Sequence, residues 1–458
     1  MALLKAKNID TTTGSLFRKI ILYSVPLILS TLIQQLFNAI DIVVLGNMAD
    51  STAVASVSTT TPITSLIVST FVGISTGTRV VLARHIGARD RQNTRNVTDT
   101  SLIFSVAIGA LIALVGYVFS PWFLDITNCP PECYEGALIY VRIYMLSAPI
   151  VLLYNFGSAV ITADGDTQRP LYYIMFAGAT NVVLNIVLCL FLEQKVAAVA
   201  IATVASQVIS AFLVSFRLLS MDGACRVNVK KMCFEMGALG KVLAAGLPMA
   251  LVHALFPLSN LQIQSAINSY GVAATSGNGA VATIESVISA FTGPLGTSAS
   301  VFIGQNIGAK KHDRVKRSFW LCMLFAIVIG GGIGAMTYFT GQFWLSLIVG
   351  RDTVAIEYGL VRMSCTTLFH IISAINGVFA SAILAHGFSI ASSINAIFSV
   401  FVFRVIWMQT IYPQNETFQS IVVCFVVSWL LRMIVNIVLY GAIWRGYRKK
   451  MSLPTCEE

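Results

Sequence analysis

Two acidic side chains, Asp41 and Glu285, lie deep within apolar stretches of this 458-residue chain. The rest of its 20 acidic residues fall in predicted loops, termini or helix ends. A charged side chain at the centre of a bilayer costs roughly 2.5–3.5 kcal/mol on insertion scales, so it normally faces a protein interior or a water-filled cavity. A carboxyl group in such a cavity can exchange a proton or bind a cation at physiological pH. We therefore predict that both residues bind a coupling ion.

A polar stripe leads to Asp41 along the first predicted helix. Its members are Ser30, Gln34, Asn38 and Asp41. Their spacing places them on one face of a helix with about 3.6 residues per turn. Because a polar face within an apolar span is expected to line a cavity, Gln34 and Asn38 are candidate cavity residues beside the acid.

Other polar residues recur at helical spacing within apolar spans. Asn181 and Asn185 are four residues apart, and Thr203 could add a hydroxyl to the same ion-coupling site. The remaining candidate cavity residues are Tyr140, Tyr144, His253, Asn260, Gln264, Asn278, His370 and Asn376. For all of them the alternative is core packing or hydrogen bonding between helices. For Glu285 the alternative is a structural ion pair with a base from another span. The candidate bases are Arg362, Arg404 and Arg432.

Composition places the chain in a membrane. Apolar residues make up 56% of it and charged residues 11%, whereas soluble domains carry about 25% charged residues. The mean hydropathy is +0.79. The net charge of +10 would suit nucleic acid, but the bases lie in short loops between apolar runs. That distribution argues against a nucleic-acid partner and for the lipid bilayer.

Twelve apolar runs are long enough to span a bilayer, which about 20 helical residues can cross. Their approximate limits are 20–47, 53–83, 97–120, 136–161, 170–192, 196–219, 242–269, 274–304, 318–348, 355–384, 388–412 and 418–444. The loops on one side hold most lysines and arginines, and the other side holds only Lys195 and Arg351. The positive-inside rule then predicts a multi-pass protein of the cell membrane with both termini in the cytoplasm.

The two halves of the chain repeat each other. ARHIGARDRQNTRN at 83–96 resembles GQNIGAKKHDRVKR at 304–317, an offset of 221 residues, and Pro26 matches Pro248 at 222. Two six-helix lobes in the same orientation are typical of secondary transporters, whose binding sites lie near the midplane between repeats. The predicted regions are a cytoplasmic N-terminus at 1–19, an N-lobe at 20–220, a linker at 221–241, a C-lobe at 242–445 and a cytoplasmic tail at 446–458.

From about residue 20 to 445, the chain resembles the multidrug and toxic compound extrusion (MATE) family of bacterial transporters. The matching motifs, in chain order, are NAIDIVVLG, IGARDRQ, ADGDTQRP, NVVLN and IGQNIGAKK. The resemblance implies an all-α membrane protein with twelve transmembrane helices in two pseudo-symmetric six-helix bundles, arranged as a V. It also implies an antiporter that exports organic cations and other xenobiotics in exchange for H+ or Na+, without a cofactor.

The resemblance assigns roles to individual residues. Asp41 matches the family's N-lobe acid, and Asn181 and Asn185 match polar positions of the same pocket. Many relatives carry an acid where this chain has Asn185, which leaves one charge here. Na+ at Asp41 is therefore kept as the alternative to H+, and no other metal site is expected. Several relatives place a C-lobe acid in the seventh span, whereas this chain has its C-lobe acid, Glu285, in the eighth.

Other functions would each need particular residues within the spans. A lipid-linked oligosaccharide flippase of the same broad superfamily would need clustered bases in its cavity, and the in-span arginines are scattered along the chain. Neither an intramembrane nucleophile with a paired base nor a GxxxxGK[ST] phosphate loop is found, so we expect no enzyme and no direct ATP drive. We expect a monomer with a small cationic substrate. Whether Cys129 and Cys133 form a disulfide is left open by the sequence.

Overall fold

The computed structural model describes residues 8–48, 50–127 and 129–452, apart from the side chains at 38, 41–42, 51, 61–63 and 448–452. The described backbone is helical and contains no strand. It divides into two compact units. Unit 1 holds the chain up to Thr11 and Ile21–Ala250, and unit 2 holds Thr12–Ile20 and the chain from Leu251. The boundary therefore falls inside a helix, beyond the linker placed by the sequence at 221–241.

In the part of the chain that the structure describes, eight α-helices precede the linker at 221–241. They are α1 (Leu16–Met48), α2 (Ser51–Gly87), α3 (Arg91–Val118), α4 (Ser120–Ile126), α5 (Pro131–Leu146), α6 (Ala148–Ala163), α7 (Gln168–Phe191) and α8 (Lys195–Ser220). Nine follow it. They are α9 (Met236–Asn268), α10 (Val272–Gly308), α11 (His312–Phe339), α12 (Gly341–Val349), α13 (Thr353–Thr366), α14 (His370–Ala385), α15 (Ser389–Ala396), α16 (Phe403–Thr410) and α17 (Phe418–Ser452). A π-helical segment, Ile397–Val402, joins α15 to α16.

The predicted membrane fold is confirmed. Within the described residues, 10 spans are long and apolar enough to cross a bilayer, and 12 are present if each bent helix pair counts as one. The bent pairs are α5 with α6, at 48°, and α13 with α14, at 45°. Cys129, just before α5, and Cys133, in the first turn of α5, are both free.

The internal repeat is also confirmed, in helix lengths and in backbone conformation. α1 and α9 both have 33 residues, α2 and α10 both have 37, and α3 and α11 both have 28. Arg89 and Lys310, in equivalent turns after α2 and α10, have positive φ angles of 56° and 55°. Gly165 and Gly387, after α6 and α14, have φ angles of 98° and 93°. Both halves therefore use the same turns at the same places.

Within unit 1, α2 packs directly on the first half of α9 through glycines. A Cβ atom on Gly77 would lie 2.5 Å from the backbone nitrogen of Gly246, and one on Gly73 would lie 2.5 Å from the Cα of Ala250. Small residues allow such close backbone approach in membrane proteins. Gly293, in α10, differs because nothing lies within 4 Å of its Cβ position.

We expect Gly77→Ala to destabilise the protein by about 1–3 kcal/mol, because the added methyl meets the rigid backbone of α9. The measurement is the midpoint of thermal unfolding of the purified protein in detergent. Gly293→Ala is the matched control, since its methyl enters open space inside a helix. Equal midpoints for the two variants would show that α2 and α9 are not closely packed.

The start of the chain is anchored to the loop after α6. The Asn8 amide donates a hydrogen bond to the Asp164 carboxylate, and the Ile9 N–H donates to the Gly165 carbonyl at 3.2 Å. A side chain at Gly165 would collide with the Ile9 carbonyl. Burial raises the pKa of Asp164 to about 7, with Arg217 lowering it and Asp166 raising it further.

This raised pKa predicts a pH dependence of stability. The folded protein binds the Asp164 proton more tightly than the unfolded chain, whose carboxyl has a pKa near 3.8. Stability from this group is complete below that value and is lost as pH rises through about 7, by at most about 1.4 kcal/mol per pH unit. Thermal unfolding measured from pH 5 to 8 should show a smaller loss in Asp164→Asn. Asp222→Asn, at an exposed loop position, should retain the wild-type slope.

Candidate functional site

A small polar pocket lies inside unit 1, where α1, α6, α7 and α8 meet. Its volume is about 120 Å³. The lining residues are Gln34, Phe37, Tyr154, Ile174, Ala177, Gly178, Asn181, Thr203, Ser206, Gln207 and Ser210. Three predicted residues, Gln34, Asn181 and Thr203, thus come together from three separate helices. We call this the unit 1 pocket.

The amides of α7 are held in place by burial and by each other. Asn181 is 4% exposed and Asn185 is fully buried. The Asn185 side-chain amide donates to the side-chain oxygen of Asn181 at 3.3 Å. The absence of a side chain at Gly178 lets the Phe37 ring of α1 pack against α7. The unit 1 pocket therefore has a polar wall at Asn181 and an aromatic side at Phe37.

Two predicted residues of α1, Asn38 and Asp41, have side chains that lie outside the described part of the structure. Their backbone belongs to α1, and Asp41 follows Gln34 by seven residues, or about 10 Å along the helix axis. That spacing puts the two positions on the same face of α1. No charged residue is among the described residues that line the unit 1 pocket.

α8 contributes four polar residues to the unit 1 pocket, and the sequence analysis predicts only the first of them, Thr203. Ser206, Gln207 and Ser210 follow Thr203 at i+3, i+4 and i+7. This is the helical spacing that singled out the stripe on α1, so the signal was present in the sequence. The two predicted tyrosines of α5, Tyr140 and Tyr144, instead stack on each other with ring centroids 6.2 Å apart.

In unit 2, Glu285 forms an ion pair. The Arg362 guanidinium lies 2.6 Å from the Glu285 carboxylate, and the side chains are 6% and 14% exposed. The Thr366 hydroxyl donates to the other carboxylate oxygen, and Arg362 also donates to the side-chain oxygen of Asn278. The structure thus contains the pairing that the sequence left open as the alternative for Glu285. α10 carries the acid and α13 carries its partners.

The ion pair extends into an amide chain towards α9. The Asn278 side-chain amide donates to the side-chain oxygen of Gln264 at 3.0 Å, and the Gln264 side-chain amide donates to the side-chain oxygen of Asn268 at 2.8 Å. Two predicted residues, Asn278 and Gln264, are therefore linked to Glu285 through Arg362. The network runs from the buried Glu285–Arg362 pair to the exposed Gln264–Asn268 hydrogen bond, and it stabilises the buried charges by pairing them with polar groups.

A second buried base, Arg404 of α16, donates its hydrogen bonds to neutral groups. It is 1% exposed. Its guanidinium donates to the side-chain oxygens of Asn260, at 3.0 Å, and Ser428, at 3.2 Å. It also lies over the rings of Phe425, at 4.4 Å from the centroid, and Phe256, at 5.6 Å. Asn260, a candidate cavity residue in the sequence, thus accepts a hydrogen bond from Arg404.

The other predicted residues of unit 2 are dispersed. His370 is 4% exposed at the start of α14, with its ring 3.4 Å from the Ser289 hydroxyl. Asn376 donates to the Trp429 carbonyl at 2.9 Å. His253 is half-buried in α9. Of the three, His370 interacts with Glu285, through the Glu285 backbone.

Comparison with known proteins decides which family has this architecture. The family model named MatE matches residues 26–191 and 248–408, one stretch in each half of the chain. The chain belongs to the MatE family. Because the members of this family are membrane transporters, the MatE chain is a multi-pass transporter, and the resemblance seen in its motifs is confirmed.

Relatives and solved structures agree with this assignment. The chain is 26% identical to the probable multidrug resistance protein YoeA of Bacillus subtilis (strain 168), over 76% of this chain and 77% of that protein. It is 25% identical to the probable multidrug resistance protein YpnP of the same organism, over 90% and 91%. A MATE structure solved in complex with MaL6 superposes with a TM-score of 0.88, at 19% identity, over 97% and 99%. At that identity the structure supports the MatE fold alone.

Proposed function

We propose that this MatE chain exports organic-cation drugs or related xenobiotics in exchange for H+ or Na+, by alternating access. The observation that carries the proposal is the unit 1 pocket, into which Gln34, Asn181 and Thr203 converge beside the helix face that continues to Asp41. A cation-binding carboxylate next to neutral oxygen donors can hold a proton or a sodium ion. The names of the two Bacillus relatives support drugs as the cargo.

In this mechanism, ion and drug compete for the same carboxylate. An ion from outside neutralises Asp41, which weakens binding of a cationic drug, and the drug leaves outward. Coupling requires that ion and drug favour different states of the transporter. The rings of Phe37 and Tyr154 in the pocket wall offer apolar area and cation–π contacts to an aromatic cation.

The proposal is tested in proteoliposomes that contain the purified protein. We expect a fluorescent organic cation to move against its gradient when a pH gradient or a sodium gradient is imposed, and to stop when the matching ionophore dissipates that gradient. Movement that is indifferent to both gradients would contradict antiport. The comparison of the two gradients also identifies the coupling ion.

A flippase for lipid-linked pyrophosphate is a second candidate, favoured by one observation. Arg362 and Arg404 are distant in sequence, yet both guanidinium groups lie over the same ring, Phe425, at 5.2 and 4.4 Å. Clustered bases suit an anionic cargo. Translocation of a short-chain polyprenyl pyrophosphate by the proteoliposomes, without export of the organic cation, would select this candidate.

We further propose that the protein is a monomer of the cell membrane with both termini in the cytoplasm. The excess of bases in one set of loops supports this orientation. Single cysteines introduced at Lys230 and at Arg351 of a cysteine-free variant test it. We expect a membrane-impermeant maleimide added to whole cells to label position 351 and not position 230.

A further inference from the structure

A groove of about 790 Å³ lies on unit 2, where the first turn of α1 meets the first three turns of α11. The two helices are held together there. The Phe17 and Phe325 rings are in contact, with centroids 5.2 Å apart, and Arg314 donates to the carbonyl oxygens of Thr13 and Gly14, both at 2.9 Å. These contacts make the groove a fixed feature of the fold. We call it the basic groove.

The lining of the basic groove changes from charged to apolar along α11. Lys316 and Arg317 are exposed at its start, Trp320 follows one turn later at 59% exposure, and Leu324 follows at 48%. From Lys316 to Leu324 the helix rises about 12 Å. Tryptophan is enriched at the membrane–water interface. This sequence of charge, interfacial ring and apolar surface matches the phosphate, glycerol and acyl chain of one phospholipid.

Within the described residues, the two exposed bases of the basic groove, Lys316 and Arg317, have no acidic partner. Arg314 donates to neutral groups, and Asp313 is the single acid among the described lining residues. An anion with an apolar tail is therefore the complementary ligand.

The equivalent surface of unit 1 differs because its base is paired within the protein. At an offset of 221, Lys316 corresponds to Arg95 and Trp320 to Asp99. In unit 1 the Arg95 guanidinium pairs with the Asp99 carboxylate at 3.6 Å and donates to the Lys231 carbonyl at 3.1 Å. In unit 2 a tryptophan stands at the position of the acid, and Lys316 forms no ion pair among the residues that the structure describes.

We propose that the basic groove binds an anionic phospholipid, with its phosphate between Lys316 and Arg317 and an acyl chain along Trp320 and Leu324. This inference goes beyond the proposed function and does not depend on it. Each base near a membrane surface adds favourable interaction with an anionic headgroup, so removal of both should weaken binding about tenfold.

Fluorescence quenching of Trp320 tests the proposal. The protein is placed in phosphatidylcholine vesicles that contain brominated phosphatidylglycerol or brominated phosphatidylcholine, and the Trp320 signal is obtained by subtracting a Trp320→Phe variant. We expect brominated phosphatidylglycerol to quench Trp320 at about tenfold lower mole fraction. In Lys316→Gln/Arg317→Gln the two lipids should quench equally. Arg226→Gln/Lys230→Gln removes one arginine and one lysine from exposed positions elsewhere, and it should keep the preference.

Two results would overturn the proposal. One is a preference of Trp320 for the anionic lipid that survives in Lys316→Gln/Arg317→Gln. The other is loss of the preference when inorganic phosphate is added at constant ionic strength, because a soluble anion would then be the ligand. Because both bases are exposed, we expect the variant to fold, and quenching of the other tryptophans by either lipid verifies that it is inserted.

Discussion

Asp41→Asn is expected to reduce ion-driven export to the level of empty vesicles, a loss of at least about 100-fold. Asparagine has nearly the same shape as aspartate and can still accept a hydrogen bond, but it carries no charge and takes up no proton. Ion and drug would then no longer compete for a carboxylate on α1, so the ion gradient could not drive release of the drug. The rate of organic-cation export under an imposed pH or sodium gradient measures the effect.

The matched control is Asp50→Asn, an exposed aspartate just before α2 whose side chain caps no helix. It should export at the wild-type rate. Asp41→Asn must also reach the membrane in normal amount and unfold at a similar temperature. Gradient-driven export by Asp41→Asn at the wild-type rate would remove Asp41 from the mechanism.

Arg362→Met should have the largest effect on stability, a loss of about 3–5 kcal/mol, because it leaves the Glu285 carboxylate in the membrane interior without its counter-charge. The double variant Glu285→Gln/Arg362→Met should recover most of that loss, since neither side chain is then charged. Thermal unfolding in detergent measures both. Glu357→Gln/Arg351→Met, at exposed positions of α13 and the preceding loop, should not change stability.

The same double variant separates the two roles of Glu285. It is expected to be stable and yet to export at least about tenfold more slowly, if the carboxylate also takes part in ion coupling. Export at the wild-type rate by the stable double variant would leave Glu285 a purely structural partner of Arg362. A double variant as unstable as the single one would contradict the pairing itself.

Hydropathy predicts where the membrane helices lie. The breaks within these helices are predictable from the sequence only in part. The bend between α5 and α6 lies two residues before Pro149, which has no N–H to donate and collides with the preceding turn. The bend between α13 and α14 has no proline, and neither does the π-helical segment before α16. These irregularities depend on packing between helices, for which a single helix sequence contains no signal.

Site residues that share a helix were predictable, whereas pairs between helices were not. Periodicity alone placed Gln34 on a polar face of α1 and joined Asn181 to Asn185 on α7. For Glu285 it could only name three arginines, because the actual partner lies 77 residues away on another helix. Which arginine pairs with the acid depends on how α10 and α13 are packed, and that is a property of the folded unit.

The environment of Arg404 has a consequence for biogenesis. Its neutral ligands come from α9 and α17, so the ligand from α17, Ser428, is still missing when α16 leaves the ribosome. A lone arginine at mid-membrane costs roughly 2.5–3.5 kcal/mol at the translocon. We therefore expect α16 to wait beside the translocon until α17 has been synthesised, and the two to enter lipid as a hairpin. A nascent chain stalled before Ser428 should remain accessible to the aqueous channel.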